Sequence, residues 1–178
     1  MSCKISHHRA NLTRTFKTEY QPPTGGTTEQ EILKQVPCSF LPGRREKGGH
    51  DLPCPHFDVK IIQRSKRQSA VASAAYQSGE RLFSEYDQKQ KYYSHKSEIV
   101  HTEIMLPPHA PPEYADRNTL WNAAEAIEKQ WNSQLARRFV LAIPRELPRS
   151  QYADLIRDYC REFFVSKGMI ADFAIHDK

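Results

Sequence analysis

The 178-residue sequence predicts an α+β domain, a mainly antiparallel sheet with helices packed on one of its faces. Four short runs beyond residue 55 read as strands, and three longer runs between them repeat at helical spacing. The resulting order is strand, helix, strand, helix, strand, helix, strand. That alternation ordinarily signals a parallel sheet. These strands, however, keep a polar face, which parallel strands buried on both sides rarely do. An antiparallel sheet accommodates both facts.

Residues 56–63 (HFDVKIIQ) alternate apolar and polar positions and predict the first strand. Residues 64–67 (RSKR) form a basic turn, and residues 68–83 a helix of small residues capped near Ser69. Residues 97–106 (SEIVHTEIML) predict a second strand, stopped by Pro107 and Pro108. Asn118 caps a helix running to residue 130, with Trp121, Ala124, Ile127 and Trp131 on its apolar face. Residues 138–143 (RFVLAI) make a strand ended by Pro144. Ser150 caps a third helix, whose core stripe is Leu155, Ile156, Tyr159, Phe163 and Phe164 and whose end is marked by Gly168. Residues 169–176 (MIADFAIH) form the last strand.

Residues 1–54 differ from all of this. They hold five of the seven glycines and lack any sustained apolar period, so they are predicted to be disordered or a non-native extension. The domain itself is predicted over residues 55–178.

Composition excludes several classes. Mean hydropathy is −0.73, and no run approaches the roughly 18 apolar residues of a membrane span. The N-terminal residues lack the apolar stretch of a secretory leader. Cys3, Cys38, Cys54 and Cys160 show no CxxC spacing, which argues against a disulfide scaffold or a zinc module. A cytoplasmic protein with no membrane partner is expected. A net charge of +5 is compatible with a polyanionic partner without requiring one.

Three features suggest chemistry. The basic turn feeding a helix N-terminus joins cations, backbone N–H groups and a positive dipole end, a combination that suits phosphate. On that helix Ser69, Ala72, Ser73 and Tyr76 share one face, with Tyr76 the only large group. Either the face packs tightly and Tyr76 is a core residue with a wet hydroxyl, or the face approaches a nucleic-acid backbone. Second, His176 stands on the last strand, where one imidazole cannot make a metal site by itself. Third, Lys89, Lys91, Tyr92, Tyr93, His95 and Lys96 interleave cations with rings, as single-strand binders do, although an exposed connection fits equally well.

The block QRSKRQSAVASAAYQSGERL at residues 63–82 resembles the opening of the MobA/MobL plasmid mobilisation relaxases, of the HUH-type endonuclease superfamily. The similarity continues through YYSHKSEIVHTEIMLPPHAPPEYADRNTLWNAAEAIEK and SQLARRFVLAIPRELP to FVSKGMIADFAIHDK, covering roughly residues 54–178. It implies a relaxase-like palm and an enzyme that nicks single-stranded DNA at a transfer origin through a 5′-phosphotyrosyl intermediate. The family's tyrosine falls eight residues after the glutamine of its QSA motif, which places it at Tyr76. His176 corresponds to the first of three histidines that hold a divalent ion, Mg²⁺ or Mn²⁺. The paired second and third histidines are not reached before Lys178, so the chain is expected to be an incomplete domain with weak or no nicking activity.

The resemblance further implies that Arg64, Lys66, Arg67, Gln68, Ser69 and Arg81 meet DNA, and that accessory mobilisation proteins are partners. Arg138 stands where some members carry an acid, so no general base is assigned. The alternative is a non-catalytic DNA-binding or assembly module that keeps the scaffold.

Overall fold

The computed structural model describes residues 2–8, 57–93, 98–143 and 147–177. All of them belong to one compact unit. Its strands are β1 (Ser2–His8), β2 (Phe57–Gln63), β3 (Leu82–Ser84), β4 (Lys89–Lys91), β5 (Ile99–Met105), β6 (Gln134–Ala142) and β7 (Ile170–His176). Its helices are α1 (Ala70–Ser78), α2 (Arg117–Ile127) and α3 (Tyr152–Phe163). Five strands form one sheet in the order β2-β6-β1-β7-β5, and every neighbouring pair is antiparallel. The α+β architecture with an antiparallel sheet is therefore as the patterning indicates.

β1 departs from expectation. The predicted disorder of residues 1–54 does not hold for residues 2–8, which lie mid-sheet and pair with β6 on one side and β7 on the other. Composition reports what a segment can bury alone, whereas β1 is held by ladders to strands more than 120 residues distant. Residues 9–56 lie outside the described residues, as do residues 94–97 with His95 and Lys96.

Cross-strand register assigns the faces. Phe139 and Phe173 both pair with Ile5, so they point to the same side. Phe139 meets Phe164, which also contacts Tyr159 of α3. Arg138 and Asp172 both pair with Ser6, so they share the opposite face. There Asp172 accepts hydrogen bonds from Arg117 and Trp121 of α2. Helices thus cover both faces, which corrects the expected single layer. The same fact explains β7, read as alternating but buried at all seven positions: a central strand with helices above and below has no wet face.

The core on the α1–α2 side is built from small residues and a few large ones. Ala70, Val71, Ala74 and Ala75 of α1 pack with Leu120, Trp121 and Ala124 of α2 and with Ile62, Leu135 and Ala136 of the sheet. A side chain as small as alanine lets the helix axis lie close to its neighbours, which makes burial nearly complete at each of these positions.

Several boundaries moved. α1 stops at Gly79, whose φ of 73° only glycine adopts readily and whose N–H donates to Ala75 O at 2.9 Å. Residues 80–83, expected to continue the helix, instead lead into β3 of the β3–β4 hairpin. Asp116 rather than Asn118 caps α2, accepting from Thr119 N at 2.7 Å, while Asn118 Oδ1 accepts from Phe83 N. Ser150 sits in a 3₁₀ turn, Arg149–Gln151, ahead of α3 and does not cap it. Trp131 lies past the end of α2 and is 65% exposed, not on an apolar face.

Candidate active site

The turn leading into α1 is tightly determined. Arg64–Lys66 forms one 3₁₀ turn that ends at Arg67 with φ of 54°. Gln68 N donates to Gln63 O, and Gln63 N returns a bond to Gln68 Oε1. Ser69 then caps the helix by accepting from Ala72 N at 3.1 Å.

The N-terminus of α1 was expected to receive phosphate. It is already filled. Glu125 Oε1 accepts from Ser69 Oγ at 2.8 Å, Ala70 N at 2.6 Å and Val71 N at 3.2 Å. An internal carboxylate satisfies the same N–H groups and the same dipole end that an anionic ligand would use. No spacing rule marks Glu125 for this task; it becomes visible only when α2 is laid beside α1.

Arg64 is likewise turned inward. Its Nη2 donates to the carbonyl oxygens of Glu125 and Glu128 at 2.9 Å each, closing the C-terminal end of α2. The guanidinium also lies 4.4 Å from the Tyr86 ring centre, a cation–π stack. Of the expected DNA contacts, Lys66, Arg67 and Gln68 are exposed on the turn, and Ser69 is engaged in the cap and with Glu125. Arg81 lies 4.9 Å from the Tyr92 ring.

Two turns beyond the cap, Tyr76 is 38% exposed, so it is not a core residue. Its ring meets Tyr93 edge to face at 5.5 Å. Both line a cleft of about 600 Å³ together with Ser69, Ala72 and Ser73, so the predicted helix face does share one surface. The cations Arg64, Arg67, Lys91 and Arg138, the carboxylates Asp87 (paired with Lys91) and Glu125, and the rings Tyr86 and Trp131 also line it. Tyr86 comes from the turn of the β3–β4 hairpin, whose first strand overlaps the end of the expected helix and whose second falls in the expected basic and aromatic connection. Asn122 of α2 docks that hairpin by accepting from Glu85 N and donating to Phe83 O.

The neighbouring residue, Gln77, is buried and donates to Asp172 O at 2.9 Å, fixing the rotation of α1 over β7. The Asp172 carboxylate accepts from Arg117 Nε and Nη2 and from Trp121 Nε1. Arg117 also pairs with Glu80 just past α1. Burial pushes the carboxyls of Asp172 and Glu80 upward from their ordinary values, against the pull of Arg117.

His176 is fully buried at the end of β7, on the same sheet face as Asp172 and four residues further along, about 13 Å. It is not among the described residues that line the cleft. No group of three His, Cys, Asp or Glu side chains able to hold a metal occurs among the described residues. No helix among them is long and apolar enough to cross a membrane.

Known proteins resemble this arrangement. The conjugal transfer protein TraA of Agrobacterium fabrum (strain C58 / ATCC 33970) is 37% identical over 132 residues, covering 68% of this chain and 12% of TraA. The mobilization protein MobL of Acidithiobacillus ferridurans is 33% identical, over 68% of this chain and 31% of its own. The chain thus matches only about an eighth to a third of these relatives' lengths. A solved structure concerned with the molecular basis of vancomycin resistance transfer in Staphylococcus aureus superimposes with a TM-score of 0.65. It is 32% identical, with 69% of this chain and 62% of that one covered. The family model described as the MobA/MobL family matches residues 68–178, from the α1 cap through Tyr76 to the end of β7, and the chain belongs to that family.

Proposed function

We propose that this chain is the nucleophile-bearing, DNA-binding part of a relaxase that acts in plasmid mobilisation or conjugative transfer. Its substrate is single-stranded DNA at a transfer origin. The Tyr76 phenol oxygen attacks a backbone phosphorus in line with the departing 3′ oxygen. A 5′-phosphotyrosyl bond forms, the 3′ oxygen takes a proton to become a hydroxyl, and the reverse reaction can rejoin a strand.

The observation behind this reading is the company Tyr76 keeps: a half-open phenol in a cleft lined by four cations against two carboxylates, Asp87 and Glu125, and by three further aromatic rings. Cations draw in the phosphate backbone, and exposed rings such as Tyr86 and Trp131 offer faces on which bases stack. Tyr93, edge-on to Tyr76, restricts where its ring can swing. A free phenol titrates near pH 10, so attack at neutral pH needs help in removing the proton. In the family a divalent ion contributes to that. Here His176 gives one imidazole and no three-ligand group exists among the described residues, so this donor set alone does not fit such an ion. That same observation favours the second reading, a DNA-binding or assembly module on the relaxase scaffold.

Fluorescence anisotropy with single-stranded oligonucleotides tests the binding half. Affinity is expected to fall steeply with salt and to survive Tyr76→Phe. Oligonucleotides with 3′-bridging phosphorothiolates, whose sulfur leaves more readily than oxygen, test the chemistry. A covalent adduct confined to the Tyr76 peptide supports the nucleophile, and an adduct that persists in Tyr76→Phe overturns it. Binding with no adduct selects the second reading.

A further inference from the structure

Glu125 closes the helix N-terminus to anions, so a phosphate entering the cleft must be held elsewhere. Buried donors without partners show where. Ser73 Oγ, Arg64 Nε and Arg138 Nε are all buried and have no hydrogen-bond partner among the described residues. All three residues line the cleft that holds Tyr76. A buried donor left unpaired costs roughly 1–3 kcal/mol, so three around one cleft is a costly arrangement unless an acceptor arrives.

Charge points the same way. Arg138 stands directly opposite Lys60 across the β2–β6 ladder, so both side chains leave the same face of the sheet. Like charges in that relation repel, and an anion between or above them relieves the repulsion. Lys60 is partly answered by Asp58 at 3.3 Å. Arg138 Nε has no hydrogen-bond partner among the described residues.

We infer that Ser73, Arg138 and the Nε of Arg64 form an anion subsite that receives a non-bridging phosphate oxygen of the DNA strand. Ser73 precedes Tyr76 by three residues, so the subsite lies within about one helical turn, 5.4 Å, of the phenol-bearing position. Arg64 is held rigid by two carbonyls, which leaves its Nε with a fixed direction. Glu125 repels phosphate from the cap and confines it to this end of the cleft. The inference rests on the DNA-binding reading above and adds the residues that position the phosphate beside Tyr76.

Ser73→Ala and Arg138→Gln test it, with Arg138→Lys as the conservative control. Ser73→Ala removes an unpaired buried hydroxyl from a helix, so its thermal midpoint should equal or exceed that of the parent while single-strand affinity falls about five-fold. A residue with only a structural role would show the reverse. Arg138→Gln should reduce the slope of log K against log salt by about 0.7, the loss of one phosphate contact on a single strand, and Arg138→Lys should restore most of it. Inorganic phosphate alone gives the second arm: it should stabilise the parent protein and lose that effect in Ser73→Ala and Arg138→Gln. If DNA binds and neither variant changes affinity or slope, the subsite is wrong and the DNA reading stands. If phosphate stabilises only the parent but DNA does not bind, the subsite stands and the DNA reading falls.

Discussion

Replacing Glu125 probes the link between the two helices beneath the cleft. Its Oε1 accepts three bonds from Ser69 Oγ, Ala70 N and Val71 N, and the residue is 5% exposed. Glu125→Ala leaves two buried backbone donors unpaired at about 1–2 kcal/mol each and removes a helix-terminus charge interaction of roughly 0.5–1 kcal/mol. The expected loss is about 3–5 kcal/mol. With a urea m-value of roughly 2 kcal/mol/M for a domain of this size, the midpoint should drop by about 2 M. Glu125→Gln keeps an acceptor oxygen in place and should cost only about 1 kcal/mol. Opening the cap also creates an anion site, so sulfate at tenfold its dissociation constant should return roughly 1.4 kcal/mol to Glu125→Ala, more than it adds to the parent. The reasoning fails if Gln is as damaging as Ala, if Ala costs under about 1 kcal/mol, or if sulfate stabilises both proteins equally.

Three further outcomes are expected. Asn122→Ala should release the β3–β4 hairpin, costing about 2 kcal/mol and deprotecting the Glu85 amide in hydrogen exchange, because Asn122 bonds both Glu85 N and Phe83 O. Asp116→Ala should cost about 1 kcal/mol at neutral pH through loss of the α2 cap. Bonds from the Thr119 amide and hydroxyl hold the Asp116 carboxyl below its ordinary value, so its contribution is complete above that value and is lost as pH falls through the depressed one. Denaturation curves of the two proteins should therefore converge only in strong acid. Burial pushes the Cys160 thiol far above its ordinary range, and the residue is fully enclosed. Thiol reagents should label it only on unfolding, and rapid native labelling would show that this face of α3 is not packed against the sheet.

Much of this molecule was legible in one dimension. Period-two runs located β2, β5 and β7 to within a few residues, and a short apolar run located the second half of β6, because each buries at least one face against a helix. The helix face of Ser69, Ala72, Ser73 and Tyr76 followed from helical spacing alone, and the cleft uses all four. The resemblance to mobilisation relaxases singled out Tyr76 where the composition left its role open. The chain itself could not show that residues 2–8 sit mid-sheet, since a strand is stable by virtue of distant partners. Nor could it show that Arg64 faces carbonyls while Glu125 takes the place offered to phosphate.

Local pattern therefore determined the three helices, four of the five strands of the main sheet, and which helix face carries the phenol. Tertiary structure decided the electrostatics of the cleft. Once α1 lies against α2, the Arg64 guanidinium meets the Glu125 carbonyl 61 residues away and the Glu125 carboxylate meets the Ala70 amide 55 residues away, so internal groups compete with an anionic ligand for those donors. The outcome of that competition depends on distances of a few ångströms that no spacing rule encodes.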